Sequence, residues 1–233
     1  DPALAKKIKH AYYATTSFMD AQIGRVLDKL KATGLDKNTI VVFTSDHGYH
    51  LGEHGHWQKQ TLFEDATRVP LIISGPGVTT TNEVVKAPVE LVDLYPTIMD
   101  VADLKPPSFV SGKSLVPYFT NSKAAVRSSA LTELQVNIGN KKAQGYGIQT
   151  KRYRLNQWRF KGVYSYELYD HKFDKSELKN LADKPEYSSI KDSLLTVLES
   201  RIAEANRVPL GLGKQINGAM PTFEPKRFFS QPK

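Results

Sequence analysis

The chain has 233 residues, 40% hydrophobic and 24% charged, enough apolar material for one large or two modest folded units. It contains no cysteine, which excludes disulfides, thiolate metal sites and cysteine nucleophiles within it, and no apolar run is long enough to span a bilayer. The net charge of +8 suits polyanions in general. The basic residues are spread out and form no compact nucleic-acid-binding motif, so a nucleic-acid partner is not expected.

The opening residues, DPALAKKIKH, read as the start of a helix and not as a secretory signal, because no apolar core follows the charges. The chain is therefore expected to begin inside a domain. Residues 4–33 are predicted as one amphipathic helix, with Ile8, Tyr12, Met19, Ile23, Val26 and Leu30 at helical spacing and Gly34 as its stop. Ile40–Thr44 is a β-branched and aromatic run without alternation, which predicts a strand buried on both faces, as in a parallel sheet. A polar loop, Ser45–Gln60, leads to a helical stretch over 61–67. Pro70–Ile73 is a second buried strand, stopped by Gly75-Pro76-Gly77. Asp93 is placed as an N-cap with Pro96 in the first turn of a helix over 94–104. This order predicts an α/β fold over residues 1–124, part of a parallel or mixed sheet flanked by helices.

The pattern changes over 121–129. Strands are predicted at 130–135, 146–151, 153–158 and 166–169, forming a small antiparallel sheet. A helix over 187–206 presents Ile190, Leu194, Val197, Leu198 and Ile202 on one face. Residues 207–233 read as an extended tail pinned by Phe223, Phe228 and Phe229. A second unit, α+β with a tail, is thus expected over 125–233.

Four of the six histidines lie between positions 47 and 56. Asp46 and His47 follow directly on the first strand, and in open α/β sheets ligands bind beyond the carboxyl ends of strands. A carboxylate and an imidazole side by side can converge on one metal ion, and Gly48 allows the sharp turn this needs. An isolated Asp-His pair more often caps a helix and packs against a neighbour. The strand-end position and the crowd of polar residues favour a site here. Lys59, returning on the same loop, is a candidate to hold an anionic oxygen as a point charge. Tyr49 and His54 are weaker candidates for substrate contact. His50, His54 and His56 do not have the spacing of a complete zinc site, and structural roles are expected for one or two of them.

The run Thr44–Lys59, followed by Phe63–Ile72, resembles the type I sulfatase family of the alkaline phosphatase superfamily. Val89-Glu90-Leu91-Val92-Asp93-Leu94-Tyr95-Pro96-Thr97 is a second match. Glu167-Leu168-Tyr169-Asp170, with Glu177, Asn180 and Leu181 behind it, is a third. The three occur in family order. His47, in place of the asparagine common there, together with Tyr12-Tyr13-Ala14 and Gly145–Tyr153, is similar to the iduronate-2-sulfatase-like branch.

The resemblance implies hydrolysis of a sulfate ester on a sulfated carbohydrate. A formylglycine made within a C/S-x-P-S-R segment is the implied nucleophile, and one calcium ion (Ca2+) the implied metal. Asp46 and His47 would be two of its ligands, the rest coming from the N-terminal part of the family fold. Calcium prefers oxygen, so His47 contacts the metal, the sulfate or the formylglycine, or the site holds another ion. Lys59 would bind a sulfate oxygen and stabilise charge in the transition state. No C/S-x-P-S-R segment occurs in the chain. It is expected to be inactive alone and to work with the N-terminal sulfatase portion, as a second chain or otherwise, in the periplasm or outside the cell. Two alternatives stand beside this: a phosphomonoester, phosphodiester or phosphonate hydrolase of the same superfamily, and a non-catalytic fragment that binds sulfated glycans.

Overall fold

The computed structural model describes residues 1–207, so the expected tail lies almost wholly outside the described residues. Helix α1 spans Pro2–Ala32. Asp1 caps it by accepting a 2.9 Å hydrogen bond from the Ala3 amide, and Pro2 fills the first turn, where its missing N–H costs nothing. Gly34 stops it with a positive φ of 71°. No residue of α1 is buried, although its apolar stripe is the one predicted.

Strand β1 covers Val41–Thr44. After the loop come a two-residue ladder of β2, His50–Leu51, with β3, Trp57–Gln58, and then the one-turn helix α2, Glu64–Thr67. Strand β4, Leu71–Ser74, pairs with β1 antiparallel, with Thr44 opposite Leu71. The parallel relation expected for these two strands is therefore corrected. The burial expected on both faces is not found either: β1 is half-buried throughout and β4 alternates, with Ile72 exposed, and an apolar run carries no information on direction. A parallel neighbour also needs a crossover, usually a helix, and between β1 and β4 the α-helical part is only the single turn of α2. The consequence for function is local: residues 45–70 leave and return at the same end of the β1–β4 pair.

Helix α3 covers Leu94–Val101, shorter than predicted. Asp93 sits at its N-cap position, but its side chain makes no cap bond there. The carboxylate instead accepts from the amides of Glu90 (2.9 Å) and Lys113 (2.8 Å) and from Arg127 Nε (2.8 Å). Burial alone would push the Asp93 carboxyl up. Arg127 and the two amides outweigh it and hold the group below the ordinary aspartate range.

The last four strands form an antiparallel meander in chain order: β5 Ser129–Ile138, β6 Lys141–Thr150, β7 Tyr153–Phe160 and β8 Val163–Asp170. Helix α4, Ser188–Ala205, crosses one face. Its Leu194, Leu198 and Ile202 pack with Ile148, Leu155 and Leu168 of the sheet and with Leu181, while Ile190 and Val197 are partly buried at the margin. Leu155, Leu168 and Leu198 are fully buried, each worth about 1.5–3 kcal/mol by transfer. Polar bonds tie the sheet to the first half: Arg201 of α4 reaches both carboxylate oxygens of Glu90, and Glu90 also accepts from the Leu131 amide of β5.

Candidate active site

The loop between β1 and β4 is shaped by glycines and by one close approach. Gly48 donates its N–H to the Ala66 carbonyl of α2 at 2.8 Å. A Cβ on Gly48 would lie 1.9 Å from the Asp65 carbonyl oxygen, so only glycine lets the chain pass this near α2. The β2–β3 ladder then turns the chain back, with Gly52 (φ 110°) and Gly55 (φ 72°) supplying left-handed conformations. That return brings Lys59 to the residues just beyond β1.

Lys59 Nζ lies 2.8 Å from His47 Nε2. The other ring nitrogen, Nδ1, is 2.7 Å from the Gly48 carbonyl. A carbonyl can only accept, so Nδ1 carries the proton and Nε2 accepts from the lysine. Asp46 Oδ1 accepts from the His47 amide at 3.1 Å, and Oδ2 stands 3.4 Å from His47 Nε2. The Asp46 side chain is 83% exposed. Three of the residues singled out in the sequence thus meet at the carboxyl end of β1: one carboxylate, one imidazole and one ammonium.

The donor set bears on the implied metal. Asp46 offers oxygens that nothing large covers, and His47 Nε2 lies on the same side, so both can turn to a common ion. Calcium takes six to eight ligands, mostly oxygen, and the other donors must come from outside this group. Lys59 is the present partner of that nitrogen.

The other two candidates are placed differently. Tyr49 stacks on Tyr12 of α1 at 5.2 Å between ring centroids and is half-exposed, which fastens the loop to the helix. His54 lies flat on Phe63, with centroids 3.8 Å apart and planes within 1°. Its Nε2 is 3.9 Å from Asp65 Oδ2. His54 belongs to a packed group with His50, His56 and Phe63 and is not brought to Asp46, His47 and Lys59. His50 is fully buried. Its Nε2 bonds Thr61 Oγ1 at 2.6 Å, and its Nδ1 has no hydrogen-bond partner among the described residues, with Asp65 Oδ2 at 3.9 Å. Burial pushes the His50 imidazole below its ordinary range, against the opposing pull of Asp65.

Sequence reasoning missed a second polar group directly behind the loop. Arg154 on β7 and Glu177 are each 2% exposed. Arg154 Nε donates to Glu177 Oε1 at 2.6 Å, and the same guanidinium binds the Leu62 carbonyl at 3.2 Å and the Glu64 carboxylate. His171 Nε2 is 2.7 Å from Glu177 Oε1. Burial alone would raise the Glu177 carboxyl; His171, Arg154 and the Glu64 amide hold it below the ordinary glutamate range. Glu64, His171 and Glu177 lie close enough to share a metal ion. The Arg154 guanidinium already sits among them as their cation, so the group is read as an ion-pair network. The one sequence signal was Glu177's place in the third motif.

The sulfatase family model matches residues 3–104. The match covers less than half of the chain. An N-acetylglucosamine-6-O-sulfatase of Bacteroides thetaiotaomicron is 34% identical over 192 residues, covering 81% of this chain and 34% of that sulfatase. The structure of BT4656 in complex with its substrate, D-glucosamine-2-N,6-O-disulfate, superposes with a TM-score of 0.69 at 32% identity, over 79% of this chain and 38% of the other. A phosphonate monoester hydrolase of Agrobacterium radiobacter gives the same TM-score at 27% identity, over 79% and 39%. The α/β architecture is therefore that of sulfatase structures. The chain spans about a third of the length of the curated sulfatases it matches.

Proposed function

We propose that this protein hydrolyses sulfate esters of a sulfated carbohydrate, and that Asp46, His47 and Lys59 are its share of the reacting site. The observation that carries the reading is the meeting of these three side chains at the end of β1 within sulfatase-family sequence. The sulfated-sugar ligand of the BT4656 structure and the N-acetylglucosamine-6-O-sulfatase relative support the substrate class. Placement in the iduronate-2-sulfatase-like branch rests on His47 and on the segments Tyr12–Ala14 and Gly145–Tyr153.

Calcium, when held by Asp46, His47 and further oxygen donors, would withdraw charge from sulfate oxygens as a Lewis acid. Lys59 exchanges His47 Nε2 for a non-bridging sulfate oxygen and stabilises the negative charge that grows there as the ester bond breaks. The Gly48 carbonyl keeps His47 in the Nδ1–H tautomer, so its Nε2 lone pair would be available to the ion once Lys59 turns to the sulfate. The nucleophile is a formylglycine supplied by a C/S-x-P-S-R segment outside this sequence, in the N-terminal portion of the family fold. Without that portion the chain does not turn over.

The phosphonate hydrolase neighbour favours a second reading, hydrolysis of a phosphonate or phosphate ester at the same group. The two separate in one assay. The chain is assembled with a polypeptide carrying C/S-x-P-S-R and offered 4-nitrophenyl sulfate, 4-nitrophenyl phosphate and a phenylphosphonate monoester at equal concentration. Fastest release of 4-nitrophenol from the sulfate supports the proposal. Faster turnover of the phosphate or phosphonate overturns it.

A further inference from the structure

Both arms of the Asp46–His47–Lys59 group run back to one buried pair. On the first arm, His47 is held by the Gly48 carbonyl, and Gly48 donates to Ala66 of α2. Helix α2 has a single turn and no side-chain cap of its own. Its first amide, Glu64 N–H, is capped by Glu177 Oε2 at 2.8 Å, a residue 113 positions away. On the second arm, the Lys59 carbonyl accepts from Thr61 at 2.9 Å, and the Leu62 carbonyl is gripped by Arg154. Arg154 also holds the Glu64 side chain and Glu177 itself. So short a helix does not stay formed by its own hydrogen bonds. Its place is set from outside, by a carboxylate and a guanidinium delivered by the antiparallel sheet and the turn behind it.

We infer that Arg154 and Glu177 are positioning residues for the reacting group: they fix α2 and Leu62, and through them the angle at which His47 and Lys59 meet. The inference rests on the proposed role of those two residues. It assigns the C-terminal sheet a part in the chemistry that its fold alone does not require. The neighbouring pair Arg152–Asp170 lies on the same sheet, with bonds of 2.8 and 2.7 Å, and does not touch α2. It is the natural control.

The test uses the 233-residue chain labelled with 15N-histidine, with the His47 signals assigned from a His47→Asn variant. In the unsubstituted protein His47 is the Nδ1–H tautomer. Glu177→Gln and Arg154→Lys are each expected to move His47 toward a mixture of tautomers, while Arg152→Gln leaves it unchanged. In the assembled hydrolase the first two lower kcat about tenfold to a hundredfold, as expected when a reacting group is misplaced by about an ångström, with KM within about twofold. Folded Glu177→Gln and Arg154→Lys proteins with unaltered His47 signals and unaltered kcat would confine the pair to stability and overturn the inference. Should Glu177→Gln not fold, Arg154→Lys, which keeps the charge and loses the forked contact, decides the matter alone. If the unsubstituted assembly cleaves no ester, the sulfatase reading fails, and the His47 spectrum still decides whether the pair positions the loop.

Discussion

Lys59 has one partner among the described residues, His47 Nε2, and no carboxylate within ion-pair distance. A lysine kept free of acids in this way is available to an incoming anion. Lys59→Ala is expected to cut turnover of a sulfate ester in the assembled hydrolase by about a hundredfold, the loss typical of one transition-state anion contact. Turnover within a few-fold of the unsubstituted protein would remove Lys59 from the mechanism. His50 makes a different prediction. It is buried with Asp65, His54, His56 and Glu53 around it, and its pKa in the folded protein lies below the ordinary 6.5. The unfolded chain therefore takes up the proton first, so the stability linked to His50 is complete above pH 6.5 and is lost as pH falls below it. A urea midpoint that declines between pH 7 and 5.5, and declines less in His50→Asn, is the expected result. That Asp46, His47 and Lys59 lie close together was legible in the sequence, because a strand end and a glycine-rich return loop leave few other places for them. The separate grouping of His50 and His54 was not legible, because it depends on Phe63 and Thr61 closing over them.

The elements were readable where periodicity carries the burial pattern, and less so where pairing does. Leu194, Leu198 and Ile202 on α4 follow a helical stripe and lie in the core as predicted. The direction of β4 against β1 was hidden, since Ile40–Thr44 looks the same whichever way its neighbour runs. Arg154 was hidden for a related reason. It sits on the face of β7 opposite Leu155, and nothing in the strand says that a carboxylate 23 positions on will neutralise it. The energetic weight of the α4 seam can be stated. Leu198 is fully buried against three sheet leucines and isoleucines, and Leu198→Ala should cost about 2–5 kcal/mol, transfer plus cavity. Equilibrium urea unfolding checks this; a loss under about 1 kcal/mol would mean that the seam collapses around the gap.

At the scale of the whole molecule, the buried apolar cluster lies in the second half, between the meander and α4. The meander has α4 over one face and the loop residues around Leu62 against part of the other. In residues 1–104 several large apolar side chains stand open: Tyr13 is 60% exposed, Phe18 69%, Val26 68% and Ile72 58%. An amphipathic helix draws most of its stability from burying such a stripe, so α1 needs a surface that the described residues do not provide. This chain matches only about a third of the length of the curated sulfatases, and the proposed N-terminal portion of the family fold is the natural cover. Two results follow. The chain alone should bind 8-anilinonaphthalene-1-sulfonate strongly, and the paired substitution Phe18→Ser and Val26→Ser should weaken that binding while leaving the melting temperature of the meander within a few degrees. Adding the N-terminal portion should quench the dye signal of the unsubstituted chain and slow amide exchange along α1. Dye binding that is unaffected by the serine substitutions would place the open apolar surface elsewhere than on α1. Unchanged exchange on addition of the N-terminal portion would remove α1 from the contact between the two.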